Sequence, residues 1–303
     1  MIRSMIIIIG FIVLAPLIGG LLEGIDRKIS ARMQRRVGPP ITQPFMDVAK
    51  LFNKEFLSVN KQQLFLLLAH LFFVVFAGSM FFIGSDLLMV FFSLSTAAMF
   101  MVMAASSTHT PYTGVGTMRE LMQMMCCEPM ELLTAVGFYL ASGMAKTGIE
   151  KSFLVSDLIH SNVSAIMYLP GFFIGFVFIL TIKFRKSPFD LSTSHHAHQE
   201  VVKGITAEFS GGAYAITEIA EWYEEVMLLA VVGLFIVNSN PISYLVAALV
   251  VIFVYFLEIL IDNTSARVKW DLMFKITWGV IIVFGGINLF LLENVSSFMK
   301  FLQ

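Results

Sequence analysis

The sequence contains little charge and almost no cysteine, and both scarcities restrict what the chain can do. Only 14% of its 303 residues are charged while 57% are hydrophobic, which is not the composition of a soluble globular protein. Its formal net charge of −1 excludes the basic footprint of a nucleic-acid-binding protein. The two cysteines, Cys126 and Cys127, are adjacent and do not supply the spaced ligands of a zinc or iron–sulfur site. We therefore expect no metal or other cofactor on this chain, and any redox centre must belong to another chain.

Long apolar segments occupy most of the sequence, and a hydropathy window of about 19 residues selects eight of them. The predicted fold is an all-α integral membrane protein in which residues 1–303 form one polytopic domain. Charged residues rather than a small-residue cleavage site follow the first segment, so we predict a retained helix and not a signal peptide. The predicted spans are residues 4–23, 63–83, 86–106, 118–142, 166–184, 212–237, 241–262 and 272–293.

The distribution of lysine and arginine predicts the orientation of these helices. The links after the first, fifth and seventh spans are basic, and the first of them alone carries eight Lys and Arg residues. Cytoplasmic links carry such an excess of positive charge. We therefore predict that the odd-numbered links face the cytoplasm and that both termini lie outside the cell membrane.

Two of these cytoplasmic links are predicted to be structured. Residues 44–55 place apolar side chains opposite Asp47, Lys50 and Lys54, which is typical of an amphipathic helix along a membrane surface. This helix either anchors the first span or walls a cavity beneath a docked soluble partner. The link at residues 182–210 is long and rich in charge and histidine, and a long ordered loop in a compact bundle is usually functional.

The second link runs into an apolar helix that carries carboxylates to membrane depth. Glu218, Glu221 and Glu225 are spaced at offsets 0, +3 and +7, so they share one face of that helix. A carboxylate in hydrocarbon is costly and usually faces a bundle interior or a water-filled cavity. With Glu200 and Glu208 leading up to this face, the pattern predicts a proton or ion pathway from a loop-side chamber into the membrane.

Acidic residues of two other spans extend the predicted pathway. In the fourth span, Glu128 and Glu131 fall with Glu120 inside a sector of about 80°. Pro129 is expected to open that helix locally to water. The seventh span adds Glu258, with Asp262 one turn further on. The alternative is that these acids only form ion pairs that hold the helices together, with Arg119, Lys146, Arg267 and Lys269 as the candidate cations.

Three histidines in the long loop, His195, His196 and His198, have the spacing of a chelating cluster. No further ligands with metal-site spacing accompany them, so we predict no metal site. His198 is assigned to the proton pathway, through proton exchange or hydrogen bonding to a partner subunit. The alternative is a polar interface loop.

Charged residues gather just after the first span. They are either ordinary topogenic charge or a surface that docks an acidic face of a soluble module. The candidate docking residues are Asp26, Arg27, Lys28, Arg35 and Arg36.

Several motifs resemble the membrane subunit at the heel of respiratory complex I, beneath its quinone chamber. They are EGIDRKISARMQRRVGPP and QPFMDVAKLFNKE near the N-terminus, SPFDLS and EFSGG around the long loop, and ARVKWDLMFKITW near the C-terminus. Within that superfamily, AHQE followed by EFSG is similar to the energy-converting, membrane-bound NiFe hydrogenases. Quinone-reducing members carry an acid-rich pattern after the FDL motif instead.

The resemblance implies a subunit that anchors hydrogenase-like large and small subunits and an Fe–S subunit, and links them to antiporter-like membrane subunits. The NiFe centre and the Fe–S clusters are then expected on those partners. By resemblance, Asp190, Glu200, Glu208 and Glu221 occupy acidic positions of the family's loop and sixth span, and Glu128 that of the fourth.

Three alternatives to this function stay open. The chain could be the heel subunit of a quinone-reducing, complex I-like NADH or ferredoxin dehydrogenase, or of a sulfane-sulfur-reducing paralogue. A third alternative is an independent secondary transporter, for which inverted repeats would be expected and none is apparent.

Overall fold

The apolar segments form helices throughout the part of the chain that the computed structural model describes, which comprises residues 2–55, 57, 60–145, 151–193 and 202–302. Within these ranges no strand forms, and one isolated bridge pairs Asp86 with Leu154. A π-helical turn at Ile281–Gly286 joins the last two helices. The helices are α1 Ile2–Met33, α2 Gln43–Phe52, α3 Lys61–Ile83, α4 Leu87–Ser106, α5 Pro111–Ala145, α6 Val155–Ile159, α7 Pro170–Lys183, α8 Gly212–Leu234, α9 Ile242–Thr264, α10 Trp270–Val280 and α11 Ile287–Leu302.

Six helical segments of the described chain are long and apolar enough to cross a membrane, and together they make this an all-α, multi-pass membrane protein. Each of the eight predicted spans coincides with a helix, but two of these helices do not meet that criterion. Helix α7 has 14 residues, which extend about 21 Å, less than the roughly 30 Å of a hydrocarbon core. Helix α8 has 23 residues but carries four glutamates. The six are α1, α3, α4, α5, α9 and Trp270–Asn294.

Helix α1 continues to Met33, well past the predicted end of the first span at residue 23. Its last turns are charged, and side chains four residues apart stabilise them. Arg27 forms an ion pair with Glu23, and the Ser30 hydroxyl donates to Asp26 at 3.1 Å. The helix therefore carries its charged end out of the apolar region.

The sequence Gly84-Ser85-Asp86 predicts a turn that makes the second and third spans antiparallel neighbours, and this hairpin is confirmed. Helix α3 ends at Gly84, whose φ of +91° is a left-handed conformation that glycine adopts without steric cost. Asp86 then caps α4, because its side chain accepts a hydrogen bond from the Leu88 amide at 2.9 Å. The two helices consequently pack side by side as antiparallel neighbours.

Helix α8 lies among α1, α2, α3 and α9 and has small residues where its neighbours approach. Ala213, Ala215 and Ala220 are completely buried. On α1, a Cβ added to Gly19 would lie 2.6 Å from the Trp222 Cβ, so this contact requires glycine. Small side chains on both sides therefore hold α1 close to the glutamate-bearing helix.

The predicted amphipathic helix is present as α2, where it packs its apolar side onto α8. The Phe45 ring meets the Trp222 indole edge-on, with ring centroids 5.4 Å apart. Val48 and Leu51 join the same apolar cluster. Helix α2 thus forms an outer wall beside the charged region of α8.

Candidate functional site

A cavity of about 580 Å³ lies among α1, α3, α4, α5, α8, α9 and the segment that follows α7. Its lining contains eight carboxylates and five cations, so the acids outnumber the cations. A polar cavity of this size has room for several water molecules. The carboxylates belong to Glu23, Asp26, Glu120, Glu218, Glu221, Glu224, Glu225 and Asp262, and the cations to Arg27, Lys183, Arg185, Lys186 and Lys203.

The acidic face of α8 forms one side of this cavity. Glu218, Glu221 and Glu225, which the helical spacing places on one face, all line it, and Glu224 lines it too. The shared face inferred from the sequence is therefore confirmed as a geometric arrangement, and it points to an internal chamber rather than to lipid.

Residues 183–186, which we call the cationic segment, bring three cations into the cavity. Lys183 pairs with Glu131 of α5 at 2.9 Å, and Lys186 pairs with Asp26 of α1. Between them, Arg185 donates to Glu221 of α8 at 2.5 Å and to Glu120 of α5 at 3.3 Å. One short segment thus connects three helices through ion pairs.

The charge of Arg185 is strongly favoured in this position. Burial works against the charged guanidinium, but the carboxylates of Glu120 and Glu221 outweigh that cost, so the pKa of Arg185 lies above its ordinary value. Arg185 is consequently a permanent cation at the centre of the cavity.

Several cavity acids have no ion pair with any described residue. These are Glu218, Glu224 and Glu225 on α8. The Asp262 carboxylate instead accepts a hydrogen bond from the Ser187 amide at 2.8 Å. The ion-pair alternative therefore accounts for some of the cavity acids and leaves a group on α8 able to bind protons.

The charged end of α1 contributes a second set of contacts at the cavity wall. Arg27 binds Glu23 and also donates to Asp47 of α2 at 2.7 Å. Glu23 in turn accepts from the Trp222 indole at 2.6 Å. Burial works against the Asp47 carboxylate, but the hydrogen bonds from Arg27 and Gln43 together outweigh it, so the pKa of Asp47 lies below its ordinary value.

The candidate docking residues consequently fall into two groups. Asp26 and Arg27 line the cavity and are engaged in ion pairs. Lys28, Arg35 and Arg36 are exposed beyond it. Only these three are placed where a partner protein could reach them directly.

The remaining predicted pathway residues occupy different environments. Glu131 is almost completely buried beside Lys183, and Asp190 binds Arg267 at 2.9 Å. Glu258 is fully buried, and neither of its carboxylate oxygens has a hydrogen-bond partner among the described residues. Glu128 and Glu208 are partly buried and do not line the cavity. His198 and Glu200 lie outside the described residues, as do His195 and His196.

Helix α5 runs without interruption through Pro129, so the local opening expected there is not seen. The cations also differ from the candidate set. Arg267 does form an ion pair, with Asp190. Cavity acids form their ion pairs with the cationic segment instead. In the sequence analysis the charge of that link indicates only the orientation of the helices. Charge counting along the chain does not reveal which helix a cation will reach.

His70 is a cavity residue that the sequence analysis missed. It is only 3% exposed on α3, and its Nδ1 lies 2.8 Å from the Ala97 carbonyl oxygen. A carbonyl only accepts, so Nδ1 carries the proton and Nε2 of the neutral ring is left as an acceptor. The available signal was a single histidine inside an otherwise apolar span, where an ionisable residue usually marks a functional site.

The described part of the chain contains no cluster of three or more His, Cys, Asp or Glu side chains arranged to hold a metal ion. Cys126 and Cys127 are both buried in α5, where burial in apolar packing makes a thiol inert. The chemistry supported by the described cavity is therefore proton binding, ion pairing and water binding.

Comparison with known proteins places these features in a wider group. A sequence profile described as NADH dehydrogenase matches residues 5–293. Hydrogenase-4 component C of Escherichia coli (strain K12) is 27% identical over 288 residues, covering 85% of this chain and 86% of the relative. Formate hydrogenlyase subunit 4 of the same organism is 28% identical, covering 85% and 89%. A subunit of the NADH-quinone oxidoreductase of Anoxybacillus flavithermus (strain DSM 21510 / WK1) is 27% identical, covering 95% and 93%.

Among solved structures, a chain of the membrane-bound sulfane sulfur reductase (MBS), an archaeal respiratory membrane complex, has a similar fold. The TM-score is 0.81 at 23% identity, and the match covers 96% of this chain and 98% of the other. The helical arrangement described above is therefore a shared fold.

Proposed function

Because the chain belongs to the NADH dehydrogenase family, we propose that it is the membrane-anchor and ion-coupling subunit of a membrane-bound, hydrogenase-type oxidoreductase complex. Its relatives include membrane subunits named for hydrogenase-4 and formate hydrogenlyase, which supports the hydrogenase type. The observation that carries the ion-coupling role is the cavity in which α8 presents glutamates that form no ion pair with a described residue, beside an arginine shared by two other carboxylates. The chain contributes no redox centre, and the NiFe centre and Fe–S clusters belong to its partners.

The proposed topology has eight spans, with α7 and α8 completing the set of six. The glutamates of α8 face the cavity, so its 23 residues can cross the membrane without exposing charge to lipid. The short helix α7 packs against α5, the π-helical turn and α11, so protein surrounds part of it at membrane depth. Both termini then lie outside the cell membrane, and the cavity lies on the cytoplasmic side.

The partners are hydrogenase-like large and small subunits and an Fe–S subunit on the cytoplasmic side, with antiporter-like subunits beside the chain in the membrane. Exposed Lys28, Arg35 and Arg36 supply positive charge for an acidic face of the soluble module. The loop that contains His198 and Glu200 follows the cationic segment directly in sequence. In this proposal the docked module lies beside the loop and the cationic segment.

Coupling is electrostatic in this proposal. Reduction and protonation of the docked module change the charge beside the loop and the cationic segment. That change alters the proton affinity of cavity and neighbouring acids, including Glu221, Glu208 and Glu128. Protons taken up from cavity water then bias protonation and water occupancy in the adjoining membrane subunits.

The test is substitution of Glu221, which lines the cavity and binds Arg185, by the nearly isosteric glutamine. We expect the Glu221→Gln complex to assemble and transfer electrons, but to build a smaller ion gradient per electron transferred in proteoliposomes. Glu55→Gln is the matched control, because Glu55 is an exposed glutamate outside the cavity. Normal coupling in Glu221→Gln would show that the acid pathway is assigned wrongly.

The second candidate is the heel subunit of a quinone-reducing, complex I-like dehydrogenase. The similarity to a subunit of an NADH-quinone oxidoreductase and the aromatic wall that Phe45 and Trp222 form beside the cavity favour it. Quinone-dependent turnover of the purified complex, together with its loss in Phe45→Ala, would select this candidate. A sulfane-sulfur-reducing complex is distinguished by its substrate, because the same membrane subunit fold serves it.

A further inference from the structure

Arg185 lies between α5 and α8 and contacts one carboxylate on each helix, but the two contacts differ in length. Its Nη1 donates to Glu221 at 2.5 Å, whereas its Nη2 lies 3.3 Å from Glu120 Oε1 and 3.3 Å from the Met101 sulfur. The second oxygen of Glu120, Oε2, is buried and has no hydrogen-bond partner among the described residues. Glu120 therefore has unused acceptor capacity within reach of the same guanidinium.

An unsatisfied carboxylate oxygen in a buried position is costly, and a planar guanidinium can bind both oxygens of one carboxylate at once. Two arrangements of Arg185 follow. In the present one its shorter contact is to Glu221. In the other it forms a bidentate pair with Glu120, which satisfies Oε2 and releases Glu221. The two arrangements differ by a side-chain movement and require no helix to shift.

The backbone around Arg185 is held in place on both sides. Lys183 is tied to Glu131 of α5, and Lys186 to Asp26 of α1. Asp262 of α9 also accepts a hydrogen bond from the Ser187 amide. Arg185 itself has a φ of +50°, a conformation that non-glycine residues adopt at a cost and that surrounding contacts must maintain. The backbone of the segment is therefore held in place, while the long side chain of Arg185 can move.

We propose that Arg185 is a positioning residue that exchanges between Glu221 and Glu120, and thereby controls when Glu221 binds and releases its proton. This inference rests on the proposed ion-coupling function and identifies Arg185 as the side chain that moves. When Glu221 takes a proton from cavity water it loses its charge, and Arg185 moves to Glu120. When Arg185 returns, Glu221 gives its proton back to water in the chamber. The proton comes from a hydronium ion of the cavity water, whose O–H bond breaks as the carboxyl O–H bond forms, and the reverse exchange with a water molecule releases it.

Other charged groups face this pair and set the conditions for the exchange. On α8, Glu218 and Glu224 lie close enough to Glu221 to repel it. Glu23 of α1 adds to that repulsion, and His70 of α3 lies within electrostatic range of Arg185. These neighbours favour proton uptake by Glu221 once the guanidinium leaves, because adjacent negative charges destabilise another carboxylate.

The experiment compares two substitutions that act on the exchange from opposite sides. Arg185→Gln removes the shared cation, and Glu120→Gln removes the alternative binding place, so that Arg185 stays on Glu221. Both complexes are reconstituted in proteoliposomes, and the ion gradient per electron is measured as a function of pH. We expect both to lose most coupling while electron transfer continues. The pH optimum of the residual transport should move up in Arg185→Gln and down in Glu120→Gln, because the first removes a positive charge beside Glu221 and the second concentrates it there.

Loss of coupling in Glu120→Gln together with opposite shifts would support the inference, because a fixed Arg185–Glu221 pair does not need a second carboxylate, whereas the shifts alone report only the change of charge beside Glu221. Normal coupling in Glu120→Gln would contradict it. Arg3→Gln is the matched control, since Arg3 is an exposed arginine outside both the cavity and the candidate docking residues. If the Arg185→Gln complex does not assemble, coupling is measured in Arg185→Lys instead, because a lysine keeps the charge but cannot form the bidentate pair. Unchanged or equal shifts, with Glu221→Gln uncoupled, would overturn the inference and leave the proposed function standing. Normal coupling in Glu221→Gln would overturn the proposed function itself.

Discussion

Replacing Lys183 by methionine should destabilise the protein strongly, because it leaves the Glu131 carboxylate without its cation. The Lys183 side chain is 10% exposed and that of Glu131 only 1%, and their charged atoms lie 2.9 Å apart. Removing one member of such a buried pair costs about 3–5 kcal/mol, since the other charge is left uncompensated. Methionine keeps the length of the lysine stem, so the packing change is small.

The double variant Lys183→Met/Glu131→Leu should recover most of that loss. Replacing both charges of a buried pair by apolar side chains is neutral or stabilising in many proteins, by about 1–4 kcal/mol. The difference between the double variant and the sum of the single variants then measures the coupling of the pair.

The chain contains its own reporter for this measurement. Cys126 is completely buried in α5 close to the pair, so in a Cys127→Ala background, which removes the thiol at the cavity wall, a thiol-reactive dye will label the chain only when the helix packing opens. Thermal unfolding of the purified full-length chain in detergent, followed by dye fluorescence, gives the midpoint of each variant. A loss below roughly 1 kcal/mol in Lys183→Met, the value of a solvent-exposed pair, would refute the view that this ion pair is buried and structural.

Two further predictions concern residues outside the cavity. Glu258→Gln should leave the thermal midpoint unchanged or raise it, because the fully buried carboxyl has no hydrogen-bond partner among the described residues and the amide removes its charge; a clear loss in the same dye assay would contradict this. Joint substitution of exposed Lys28, Arg35 and Arg36 by glutamine should weaken binding of the soluble module to membranes and flatten its salt dependence. Unchanged binding across a salt titration would exclude these residues as a docking surface.

The elements that sequence reasoning predicted well depend on local geometry. The shared face of Glu218, Glu221 and Glu225 follows from helical periodicity alone, and the α3–α4 hairpin follows from a glycine followed by a capping aspartate. Hydropathy located a helix in every predicted span. It misplaced the end of α1, because a hydropathy window stops where charge begins, whereas Arg27 and Glu23 stabilise the helix beyond that point.

The parts that sequence reasoning missed depend on contacts between distant segments. Arg185 reaches Glu120 and Glu221, which lie 65 and 36 residues away in sequence, and no local pattern indicates that meeting. His70 is brought to the cavity by the packing of α3 against α4 and α8. Which acids are paired and which are left unpaired is therefore a property of the assembled bundle.

The central claim is that cavity acids change protonation when the docked module changes redox state. Redox-triggered infrared difference spectroscopy of the intact complex tests it most directly, because the carboxyl band appears only when a carboxylate takes up a proton. We expect the wild-type complex to show a carboxyl band that is reduced in Glu221→Gln and retained in Glu55→Gln. A difference spectrum without carboxyl bands, or one identical in wild type and Glu221→Gln, would contradict the account.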